Sequence, residues 1–289
     1  MKPLLVLATL TASFAVIGLA HSEPSEAAAK MEASLYERLG GIQKIAAAAD
    51  NCIRMEGEDE MMRANQKLAA EFDRVPKPVL AFGLAAYLAN LAGGPQKAVL
   101  DIPSFERALM LDMKTRDHAW TLRAKAFEKA GVGMKEFEEL KALYEMKYAA
   151  AKPMTVAPET FKDPKSLYAR LGGIVPICLV VDDFILLLAT DPTIGANKQV
   201  VAALQSGRVS AAGLRYLVTE QIAAASGGPF KYSGRTMLDS HKGLMVTEAE
   251  WNAAAAILGK VLDKYKVPAK ERNELFAIVG STKGDIVGR

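Results

Sequence analysis

The chain has 289 residues, 51% of them hydrophobic and 24% charged, with a formal net charge of +3. That composition is globular and supplies enough apolar surface for two ordinary cores. Basic residues are interspersed with acids, which speaks against a nucleic-acid partner or a basic membrane-surface patch. Two cysteines make no disulfide framework, and there is no clustered His/Cys set for zinc, no G-x-S-x-G and no phosphate-binding glycine loop.

In chain order, the first segment has one lysine, an apolar and small-residue run from Pro3 to Ala20, and then polar residues. Gly18 and Ala20 place small side chains at the third and first positions before a cleavage point, so residues 1–20 read as a signal peptide. The run is just long enough to span a bilayer, and an uncleaved anchor is the rival reading. Removal after Ala20 implies a periplasmic or secreted mature chain with no membrane span.

A repeat organises the rest. SLYERLGGI at 34–42 returns as SLYARLGGI at 166–174, and the register continues without a gap, pairing Asp50 with Asp182, Asp59 with Asp191 and Asn65 with Asn197. After a shift of two residues, LAGGP at 91–95 matches ASGGP at 225–229. Spacing this wide indicates duplication of a whole domain, since solenoid repeats have shorter periods. Residues 31–151 are then a first domain and 166–289 a second. The stretch 152–165, with three prolines and no periodicity, is the linker.

Both halves read as helical. Ile174 to Leu188 is apolar apart from Asp182-Asp183, as in a largely buried helix. From Ala211 to Ala225, Leu214, Leu217, Val218 and Ile222 share a face at helical spacing. Thr247-Glu-Ala-Glu250 is a capping box opening a helix, and Pro268 starts a last one. No segment alternates as a strand would, so the predicted class is all-α.

Taken in order, SLYARLGGI, VVDDF at 180–184, SGGPFKYSGR at 226–235, MLDSH at 237–241 and the TEAEW helix resemble the truncated hemoglobins of group 1. The resemblance covers essentially all of the second domain. It implies a two-over-two helical sandwich around a non-covalently held heme b, one per chain, that binds a small diatomic gas. C-x-x-C-H is absent, which excludes covalent attachment. The family pattern makes His241, one of three histidines, the iron ligand. A neutral imidazole suits heme iron, and a single axial histidine leaves the other face open. Taken alone, the residue reads better as a solvated helix position beside Lys242, and only the ordered motif set favours the ligand role. Lys231, Tyr232 and Arg235 match the stretch that lies near the heme propionates in the family, where charge-assisted bonds would help hold an untethered cofactor.

The distal positions depart from the family pattern. Ile185 stands after Phe184 where a tyrosine is common, and two further distal positions map to the apolar Leu214 and Val218. Gln221 and Tyr216 are the nearest polar candidates, and of these Gln221 lies one turn beyond Val218 on the same face; Asn197 replaces a phenylalanine usually packed on heme. Without a donor, oxygen should leave faster and ferrous iron oxidise sooner, whereas carbon monoxide and nitric oxide depend less on that bond. This disfavours durable oxygen storage and favours gas sensing, nitric oxide chemistry or a ferric resting form, with oxygen, nitric oxide and carbon monoxide all kept as ligands. In the first domain two registers compete for residues 104–137. One places His118 a residue late for the ligand position and the other places Phe127 there, and neither leaves a partner for the last helix. The first domain is therefore expected to be a degenerate copy without heme, with His118 its only possible ligand. Two rival functions stand beside gas binding. One is a heme enzyme for nitric oxide or peroxide detoxification, using an unidentified electron donor. The other is a heme-free helical interaction module. Cys52 and Cys178 are expected to be buried in helices rather than redox-active.

Overall fold

A computed structural model describes residues 33–155 and 159–289; the predicted signal peptide lies outside them. The first half comprises α1 (Leu35–Arg38), α2 (Gly41–Glu58), α3 (Glu60–Ala64), α4 (Gln66–Arg74), α5 (Lys77–Leu91), α6 (Ile102–Leu109), α7 (Met113–Lys129) and α8 (Met134–Ala150). The second comprises α9 (Leu167–Arg170), α10 (Ile174–Thr190), α11 (Pro192–Gly195), α12 (Lys198–Gln205), α13 (Ala211–Ala225), α14 (Met237–His241), α15 (Glu248–Lys264), α16 (Ala269–Gly280) and α17 (Lys283–Ile286). Among the described residues the sole β contact is an isolated bridge between Val246 and Val287, so the all-α expectation holds. No helix among them is long and apolar enough to cross a membrane.

The repeated residues turn out to be the ones that start helices and seat them. Ser34 and Ser166 cap α1 and α9, Asp59 and Asp191 cap α3 and α11, and Asn65 and Asn197 cap α4 and α12. Each side-chain oxygen accepts an N–H that the first helical turn leaves unpaired. The opening tyrosine then docks on the glycine pair. Tyr36 N donates to Ala92 O at 3.0 Å and Tyr168 N to Ser226 O at 2.8 Å. A Cβ on Gly94 would lie 2.5 Å from the Tyr36 ring, and one on Gly228 would lie 2.7 Å from the Tyr168 ring and 2.6 Å from Ala223 O. Close approach, rather than turn freedom alone, requires these glycines. Gly228→Ala should cost about 1–3 kcal/mol through overpacking, read as a lower denaturation midpoint. An unchanged midpoint would refute the steric account.

Neither sequence register for residues 104–137 survives. α7 and α15 are both 17 residues long and begin at the N-caps Asp112 and Thr247. The turns that follow are also alike: Val132 N bonds Phe127 O and Val267 N bonds Leu262 O, each at 3.0 Å. Gly131 and Lys266 carry matching positive φ values of 72° and 53°. α8 therefore answers to α16, and the last helix expected to be missing from the first half is present.

Residues 33–289 form one compact unit. α2 and α5 pack on α10 and α13, and the larger core joins first-half residues such as Ile45, Ala49, Phe82 and Ala85 to Cys178 and Tyr216. Tyr216 stacks on Phe82 with centroids 4.7 Å apart. Arg215 reaches Asp50 and its repeat equivalent Asp182, both at 3.2 Å. All three groups are partly exposed, so this bridge contributes at most about 1 kcal/mol. Cys52 and Cys178 are free and buried, and burial pushes both thiols well above their ordinary range. The end of α10 departs from the expected buried helix, because Leu186 and Leu187 are 60% and 41% exposed.

Candidate functional site

His241 closes α14, a short helix capped by the Thr236 hydroxyl, which accepts from Asp239 N at 3.1 Å. Its Nδ1 lies 2.8 Å from Met237 O. A carbonyl only accepts, so this contact fixes the proton on Nδ1 and leaves the Nε2 lone pair free. A ring held this way is preset as a metal ligand. The turn after it is also fastened. Asn197 Nδ2 donates to Leu244 O at 3.1 Å and to Glu250 Oε2 at 3.0 Å, while its Oδ1 caps α12. Asn197 is thus a buried strut between α12, the turn after α14 and the start of α15. Burial acts to raise the Glu250 carboxyl, but bonds from Thr247 and Asn197 outweigh it and leave the group below its usual range.

Phe184, Ile185, Leu214 and Val218 gather in one apolar cluster with Leu258, Val261 and Leu262. Gln221 follows Val218 on that face of α13; it is half-buried and, among the described residues, its amide has no hydrogen bond. Tyr216 is removed from the distal candidates. It lies on the opposite face of α13, against Phe82, with its hydroxyl directed at Glu220. Lys231, Tyr232 and Arg235 lie on the loop between α13 and α14. Lys231 and Arg235 are exposed and, among the described residues, pair with no carboxylate. Tyr232 is half-buried; burial and then Glu220 raise its phenol, against a lowering from Arg235.

The two halves differ in the space they leave for a cofactor. In the first, the Arg123 guanidinium on α7 binds Glu56 of α2 at 2.7 Å and Glu106 of α6 at 2.6 Å, all three largely buried. Tyr144 packs edge-on to Trp120 and Tyr87, at 5.2 and 5.9 Å between centroids. In the register set by the shared caps and turns, Trp120, Arg123 and Tyr144 correspond to the smaller Ala255, Leu258 and Val279. Met55 and Phe72 pack inward in the first half, whereas their repeat equivalents Leu187 and Leu204 are 41% and 43% exposed. The second half therefore carries smaller side chains at these positions, an apolar cluster and an imidazole with a free Nε2, a donor set that fits heme. The first half fills the same positions with larger and charged side chains. Its α6 contains no histidine, and His118 lies on α7, with Nε2 2.9 Å from Asp59 Oδ2.

An all-helical chain with a backbone-fixed imidazole on α14 and an apolar cluster on α10, α13 and α15 is compatible with a globin. Residues 166–287 match the bacterial-like globin family. The chain is 29% identical over 143 residues to a group 1 truncated hemoglobin of Chlamydomonas moewusii, covering 48% of this chain and 77% of that protein. It is 26% identical over 127 residues to a group 1 truncated hemoglobin of Mycolicibacterium paratuberculosis, covering 43% of this chain and 85% of the relative. Over its C-terminal half the chain is thus similar to the truncated globins.

Sequence reasoning missed two clusters. Glu56, Glu106 and Arg123 have no local spacing that would reveal them. Glu220, Ser233 and Gln96 meet across the two halves, and the only hint was that Gln96 directly follows the repeated LAGGP segment.

Proposed function

We propose that the second half holds one heme b per chain with His241 as its iron ligand and binds a small diatomic gas, and that the mature chain is exported. The fixed Nδ1 of His241, with Nε2 left free, carries the reading. Lys231 and Arg235 would pair with the propionates, and Phe184, Ile185, Leu214 and Val218 would exclude water from the gas-binding side. Heme supplies an iron able to coordinate the gas. Ile185, Leu214 and Val218 carry no proton donor or acceptor, which supports reversible binding over acid-base chemistry.

The test is a hemin titration of the full chain, in which a Soret band should saturate at one equivalent and be unaffected by His118→Ala. A second equivalent lost with His118→Ala would overturn the single-site reading. Gln221, one turn beyond Val218 on α13, is the polar side chain proposed to donate to a gas ligand. Gln221→Leu should speed oxygen release about five-fold, the worth of one hydrogen bond near 1 kcal/mol, and leave carbon monoxide release nearly unchanged. Equal effects on both gases in stopped-flow measurements would remove Gln221 from that role. Export rests on the composition of residues 1–20 and is checked by N-terminal sequencing of the mature protein, with His21 expected first.

A further inference from the structure

The loop from 227 to 236 carries the cations assigned to heme and leads directly into His241, yet the groups that hold it in place come largely from the other half of the chain. Gln96 Nε2 donates to Ser233 Oγ and to Tyr36 Oη, each at 3.0 Å. Ser233 in turn donates through N and Oγ to Glu220 Oε2, at 2.7 and 2.5 Å. Lys97 Nζ reaches Pro229 O at 3.1 Å. Phe230 lies edge-on to Phe82 of the first half at 5.7 Å and tilted against Tyr168 at 6.1 Å. Gln96 and Glu220 are each 1% exposed, so these bonds are shielded from water and costly to leave unmade. Gln96 is itself held, through Asn90 Nδ2, which donates to its backbone carbonyl at 2.9 Å.

The held and the free positions are distinct. Pro229, Phe230 and Ser233 are anchored to the first half, while Lys231 and Arg235 beside them are exposed and unpaired among the described residues. We propose that the first half is a built-in brace for the heme-edge loop and that Gln96 is a positioning residue for cofactor retention, acting through Ser233. The proposal rests on the heme reading above. The brace gives a half that has filled its own interior with Arg123, Trp120 and Tyr144 a definite role in the working of its partner. Its effect falls on the loop, so iron ligation by His241 should be untouched while the cofactor escapes more readily.

The test uses the full heme-loaded chain and follows heme transfer to excess apomyoglobin, together with hydrogen exchange of residues 229–236 in the heme-free protein. Gln96→Leu keeps the side-chain volume and removes both donated bonds. Ser233→Ala removes the same link from the other side and serves if the leucine variant folds poorly. Either change should speed heme loss about five-fold, as expected for one hydrogen bond near 1 kcal/mol, with the Soret position unchanged. The double variant should lose less than the sum of the two single ones, because the Gln96–Ser233 bond is removed in both, while each also loses a bond of its own, to Tyr36 or to Glu220. Exchange of the loop amides should rise in the heme-free variants. Loop exchange and heme loss both within two-fold of the parent would overturn the brace. Faster loop exchange in a chain that never takes up heme would overturn the heme reading and leave the mechanical coupling standing.

Discussion

His241→Ala should weaken heme retention by roughly 100-fold or more. Loss of an outer partner of a metal ligand typically costs up to about that factor, and here the ligand itself is removed. The argument rests on the chain's small supply of alternatives. Of its three histidines, His118 is tied to Asp59 on α7 in the first half, and His21 precedes the described residues. Nothing tethers the cofactor covalently. The variant should fold normally, since the His241 ring is only half-buried and its single side-chain bond lies within its own short helix. The measurement is the Soret band and the rate of heme transfer, with circular dichroism as the folding control. Undiminished binding would show that another group holds the iron and would detach His241 from the site.

Arg123→Leu carries the other large expected effect, on stability. It strands Glu56 and Glu106 in the first-half core without their shared cation, and breaking a buried pair from one side typically costs about 3–5 kcal/mol. The pH dependence gives the mechanism its own signature. Burial holds the Glu56 carboxyl above its ordinary range, with Arg123 as the main opposing influence. A carboxyl raised in the folded state favours folding below its unfolded pKa and loses that contribution as pH climbs through the folded value. Removing Arg123 raises the folded value further, so the deficit of the variant should be greatest near neutral pH and shrink as pH falls toward the ordinary carboxylate range. Glu56→Gln added to Arg123→Leu should recover part of the loss at neutral pH. Denaturation midpoints from pH 4 to 8 check this, and a deficit independent of pH would mean that lost packing, not stranded charge, dominates.

Much of the second half was legible because its signals are local. N-caps such as Ser166 and Thr247 bond within their own first turn, and the spacing of Leu214 and Val218 marks one helix face. His241 was legible only through the ordered family motif, since one histidine beside Lys242 has no distinguishing pattern of its own. The first half was harder for a physical reason. Lys135-Glu136-Phe137 imitates the Ala249-Glu250-Trp251 helix start, and the feature that fixes the true register is the turn at Gly131, matched by Lys266 in a left-handed conformation. Residue types so unlike each other share no sequence signal. The Phe82 partner of Tyr216 was not legible, because helical spacing shows which residues share a face but not what that face meets.

By itself the sequence determined the all-α class and the paired caps and glycines of its repeated segments, and it nominated His241, because each depends on groups within a turn or two or on an ordered motif. Tertiary structure alone decided that Tyr216 faces Phe82, that Arg123 neutralises carboxylates from α2 and α6, and that Gln96 reaches Ser233. These contacts join residues 17 to 137 positions apart, and burial, which makes such bonds strong and their loss costly, exists only once the two halves have packed.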